Sequence, residues 1–156
     1  MSVTTIPVGY YAVPDPDQPD EQMTYWHVRA DCGPDMFHFV AWPPRARYGP
    51  KLLRKDVPKD YEGRAAAIRA HHEVLLDWNL RLRDALAAEP AEAAERFARL
   101  TTRCFWCARA LTDPRSKLLG MGPDCRRQMG LDDAVLIGQL TPAIAAAHAA
   151  HLAKAA

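Results

Sequence analysis

Cys104, Cys107 and Cys125 are the residues of this chain best suited to chemistry. The first two stand at C-x-x-C spacing, and the third follows after seventeen intervening residues. That interval is close to the one at which zinc ribbons and treble clefs bring sulfur pairs together. A C-x-x-C turn presents two thiolates to one ion because its backbone amides point at the sulfurs. Cys125 comes just after Gly122-Pro123, where a helix N-terminus would stabilise a third thiolate, and Gly120 and Gly122 permit the sharp approach. The pattern predicts a structural Zn2+ site held by Cys104, Cys107 and Cys125. A second C-x-x-C would put the fourth ligand at position 128, which is Gln128. The fourth position is therefore left to Cys32, His38, His148, His151 or water.

Two other chemistries use some of the same residues. His71-His72-Glu73, followed about thirty residues on by Cys104-x-x-Cys107, superficially matches the H-x-E and P-C-x-x-C pair of zinc nucleobase deaminases. Arg103 stands where that pattern needs Pro, the intervening residues read as helix, and Glu73 falls on a charged helical ladder with Arg69, Asp77 and Arg81. A thioredoxin-like redox pair at Cys104-Phe105-Trp106-Cys107 would lack its βαβ surroundings and leave Cys125 without a role. Both rank below a structural zinc site.

The elements that must position these thiols follow from periodicity. Residues Pro7 to Val13 read as a short strand, and Thr24–Arg29 and Met36–Trp42 as the arms of a hairpin around Gly33-Pro34. Alternation puts Tyr25, His27 and Arg29 on one face and Trp26 and Val28 on the other. Pro43 to Pro58 carries too many prolines for regular structure and is expected to lie as an extended basic strap, with Tyr48 available to a ligand. From Glu62, Ile68, Leu75, Leu82 and Leu86 line one stripe of a long amphipathic helix. Glu89-Pro90 breaks it, and a second helix with Ala93, Phe97, Ala98 and Leu100 inside leads into Cys104. A short helix is expected after Cys125, then helical segments at Asp132–Leu140 and Ala143–Ala155.

The predicted fold class is α+β: an N-terminal β-hairpin or small antiparallel sheet, a central helical hairpin, and a C-terminal zinc-knuckle, treble-clef-like module with short helices. The boundaries are residues 1–60 for the β-rich part and its strap, 61–103 for the helical hairpin, 104–130 for the finger and 131–156 for the last helices, all in one compact domain. At 156 residues the chain can bury a core without relying on metal. No apolar run approaches the roughly 20 residues a bilayer span needs. The first ten residues lack a secretory pattern, which points to a reducing cytoplasmic setting where cysteines serve metals rather than disulfides.

A net charge of +1 conceals segregation. Pro43 to Asp60 holds six Lys/Arg against two acids, and Arg99 to Arg127 holds seven against two. Arg103, Arg109, Arg115, Lys117, Arg126 and Arg127 cluster around the cysteines, and Trp106 sits in the knuckle where a base could stack. DNA or RNA is the partner this favours, with a docked protein as the alternative.

The run C-x-x-C-x-R-x-L-T-D-P-x-S followed by G-x-G-P-x-C resembles the cysteine motif of a domain-of-unknown-function family found in small actinobacterial and bacteriophage proteins. Cys104, Cys107, Arg109, Leu111, Thr112, Asp113, Pro114, Ser116, Gly120, Gly122, Pro123 and Cys125 carry the resemblance. Members commonly have Gly after the second Cys, where this chain has Ala108. The resemblance implies a zinc finger and supplies no reaction.

Overall fold

The computed structural model describes residues 6–29 and 38–130. Three strands, β1 (Gly9–Pro14), β2 (Met23–Arg29) and β3 (His38–Ala41), form an antiparallel sheet in the order β1-β2-β3. Tyr11 pairs with Trp26 and Val13 with Thr24, while Trp26 pairs with Ala41. This register gathers Tyr11, Val13, Trp26 and Val28 on one buried face, so the Trp26/Val28 side of the hairpin is the core side. Thr24, also buried there, donates its hydroxyl to the Val13 carbonyl and accepts from the Trp26 indole, which leaves no polar atom of the pair unpaired.

Four helices accompany the sheet among the described residues: α1 (Tyr61–Ala88), α2 (Pro90–Thr101), α3 (Pro114–Leu119) and α4 (Pro123–Gln128). Asp60 caps α1 by accepting from the Gly63 amide, and Glu89 separates it from α2, whose first residue is Pro90. Only the last third of α1 is seated. Trp78, Leu82 and Leu86 are buried against Trp26, with the Trp26 and Trp78 rings 6.2 Å apart, whereas Ile68 is 52% exposed. The expected apolar stripe is thus fully buried only from Trp78 onward, with Leu75 half-buried.

Helix α2 lies on the opposite sheet face. Its Phe97 packs among Tyr10, Tyr25 and Trp42, and Arg96 donates to the Ala12 carbonyl. Phe97 thus faces the Tyr10, Tyr25 and Trp42 side of the sheet, while Ala93 and Ala94 of the same helix join the core cluster of Trp78, Leu82 and Leu86 from α1. Leu100, expected inside, is 46% exposed.

The segment from Pro43 to Pro58 contains one 3-10 turn, Arg54–Asp56, and otherwise runs without regular structure. It is not a loose arm. Tyr48 packs on Trp26 at 5.5 Å and donates its hydroxyl to the Trp42 carbonyl, so its ring belongs to the core and is taken away from any ligand. The acidic loop before β2 is anchored likewise: buried Asp15 accepts from the Trp78 indole, and Arg81 of α1 bonds both Asp17 and Asp77. No helix among the described residues is long and apolar enough to cross a membrane.

Candidate metal centre

Helix α2 delivers the chain to the cysteines. Thr102 ends it in the left-handed conformation and bonds back to the Ala98 carbonyl, turning the backbone sharply into Arg103. Arg103 then pairs with Ala110 in a short antiparallel bridge, closed by Cys104 N–H to Arg109 O at 2.9 Å and Leu111 N–H to Thr102 O at 2.9 Å. Inside this small loop the Ala108 amide donates to the Cys104 carbonyl, and Ala108 itself sits at φ 60°. A left-handed angle of this kind is one that glycine adopts without cost and alanine does not.

The third cysteine arrives by two short helices. Asp113 caps α3 through the Ser116 amide, and Gly120 closes it at φ 71°. Gly120 is needed for space as well as angle, because a Cβ there would stand 2.9 Å from the Ala98 methyl and 3.2 Å from the Phe105 ring. Helix α4 begins at Pro123, earlier than expected from sequence, so Cys125 falls in its first turn. Arg126 secures this second half by donating to the Met121 carbonyl and to Ser116 Oγ.

The Sγ atoms of Cys104, Cys107 and Cys125 all lie within 4.8 Å of one another. Sulfurs bound tetrahedrally at about 2.3 Å from zinc stand about 3.8 Å apart, so the donor set and its spacing fit a soft or borderline ion. Cys104 and Cys125 are buried and Cys107 half-buried, with Leu111 and Met121 completing a small apolar cluster around them. Burial pushes the Cys104 thiol up, but backbone amides of Gly122, Cys107 and Trp106 aimed at its sulfur outweigh this and leave it below its ordinary value. Burial, a hydrogen bond with Cys107 and the negative charge of Cys104 push Cys125 up to about 12. Three thiolates cannot share this space alone, and a dication would remove the repulsion.

The metal-capable group found among the described residues consists of these three cysteines and includes none of His71, His72 and Glu73. Glu73 is exposed on α1, as the ladder predicts. Of the fourth-ligand candidates, His38 opens β3 opposite Arg29, while Cys32, His148 and His151 lie outside the described residues, as do the two helical segments expected after Gly130. A cleft of about 210 Å³ reaches the sulfurs and is lined also by Arg109, Asp113 and Asp124.

The basic residues divide into two groups. Arg109, Arg115, Lys117 and Arg127 are exposed, Arg127 at 3.4 Å from Asp124. Arg103 and Arg126 are turned inward: Arg103 donates to the Ala108 carbonyl and its guanidinium lies 5.8 Å from the Trp42 ring, and Arg126 ties α4 to α3. Trp106 is half-buried against the cysteine cluster. Sequence reasoning gave all six cations one role because charge and proximity are visible in sequence and backbone acceptors are not.

The sequence profile of a family described as a family of unknown function (DUF6011) matches residues 94–130, the end of α2 and the whole cysteine-bearing segment. No curated protein and no solved structure matches the chain.

Proposed function

We propose that this segment is a zinc-knuckle module, held by Cys104, Cys107 and Cys125 on one Zn2+, that contacts nucleic acid through Arg109, Arg115, Lys117 and Arg127. The observation that carries it is the convergence of three sulfurs within 4.8 Å on loops whose exposed side chains are cationic. The ion's chemistry here is structural: it neutralises the thiolates and fixes the loops. Within this proposal Arg103 and Arg126 hold the module, and Trp106 seals it. A reducing compartment belongs to the reading, because oxidised sulfurs would not hold the ion.

Fluorescence anisotropy against labelled DNA and RNA tests it. Counterion release should make affinity fall steeply with salt, and replacing Arg109 and Lys117 together by Ala should lower the logarithmic slope by up to about two. Chelation should weaken binding although it removes no side-chain charge, because it unmakes the loops that present the cations. Affinity unchanged by chelator would contradict the knuckle as the binding element.

One observation favours a protein-docking adaptor instead. Ile68, Val74, Leu76 and Leu80 of α1 are each about half exposed or more, and Tyr61 is 86% exposed. Apolar side chains repeated along one helix are a common docking feature. Absence of nucleic-acid binding at low salt would move the assignment there.

A further inference from the structure

The sheet face opposite the main core is only partly covered by α2. What it presents is an aromatic cluster. His27 and Tyr10 stack within 5° of parallel at 4.0 Å between ring centroids, and Trp42 stands edge-on to Tyr10 at 6.4 Å. These rings are half-buried, Tyr10 and Trp42 pack against Phe97, and Val40, paired with His27, is 42% exposed.

Cations border the cluster on two sides. Arg29 is exposed at the end of β2, and Arg103 approaches the Trp42 ring from the knuckle. The three strands contain no Asp or Glu. A 2.6 Å bond from the Tyr10 amide to the Phe105 carbonyl joins β1 directly to the knuckle.

We infer that this face is a stacking platform for unpaired bases, continuous with the cationic knuckle, so that the nucleic acid bound is single-stranded. The inference rests on the proposed function, since the knuckle supplies the phosphate attraction. Aromatic faces recognise bases only where those are unstacked, and each base stacked on a side chain is typically a main contributor to single-strand affinity. In a duplex the π-faces are already occupied by neighbouring pairs. Arg29 and Arg109 would attract the phosphates while the His27–Tyr10 pair takes a base.

The test uses the zinc-loaded full chain and three fluorescein-labelled probes: an oligothymidine and an oligouridine of about 12 nucleotides, and a duplex of equal length. The parent should bind the single strands more tightly than the duplex. His27→Ala should lower affinity for both single strands by about fivefold or more and leave the duplex affinity unchanged. His27→Phe, which keeps a stacking ring, should restore single-strand binding, and this rescue separates loss of stacking from loss of fold. If His27→Ala binds oligothymidine as tightly as the parent while chelator still weakens it, the platform is wrong and the knuckle reading stands. If no probe binds at low salt, the knuckle reading fails and takes the platform with it.

Discussion

At Ala108 one methyl group is in the wrong place for its backbone. The residue closes the loop after Cys107 at φ 60°, where a Cβ crowds the following carbonyl and costs about 1–2 kcal/mol, part of which the lower unfolded-state entropy of Ala over Gly offsets. Ala108→Gly should therefore stabilise the protein by roughly 0.5–1 kcal/mol in urea denaturation, with metal content unchanged. A destabilised variant would mean that the methyl packs better than its angle suggests. Asp113 gives a second residue-scale test. Hydrogen bonds from the Ser116 hydroxyl and then the Ser116 amide hold its carboxyl below the usual range. A folded value depressed below the unfolded one, about 3.9, stabilises above that pH and loses the effect as pH falls through the folded value. The stability gap between the parent and Asp113→Asn should be open at pH 7 and close as pH drops below about 4. A gap independent of pH would show that the cap acts without its charge.

The elements were readable in sequence to different degrees, and the reasons are physical. The Gly122-Pro123 pair is a local signal, and the helix start it implies is the one that forms, whereas α3 after Asp113-Pro114 was not read from the sequence. Strand alternation separated Trp26 and Val28 from Tyr25 and His27, but which side is core depends on α1, a partner distant in sequence. Periodicity likewise identified α1 without showing how far the sheet would reach along it, so Ile68 and Leu75 looked equivalent to Leu82. The roles of Tyr48, Arg103 and Arg126 were hidden because their partners, the Trp42, Ala108 and Met121 carbonyls, are positioned by the fold. These contacts also separate the chain into two cores joined at Phe105, which packs against both. Cys107→Ser should accordingly abolish metal binding and raise hydrogen exchange across residues 102–129, while amides of β1 and β2 stay protected. Equal loss of protection in the strands would show that the metal supports the whole fold.

For the molecule as a whole, the sheet, α1 and part of α2 share one core cluster, and the cysteine segment is joined to it by the Tyr10–Phe105 bond. On the proposed function, an ion at the cysteines would order a small cationic surface on a core that folds without it. The central claim is that Cys104, Cys107 and Cys125 together hold one zinc ion, and X-ray absorption at the zinc edge of the purified protein tests it most directly. The account predicts one zinc per chain with at least three sulfurs at about 2.3 Å. A protein without zinc, or zinc surrounded only by nitrogen and oxygen, would contradict it.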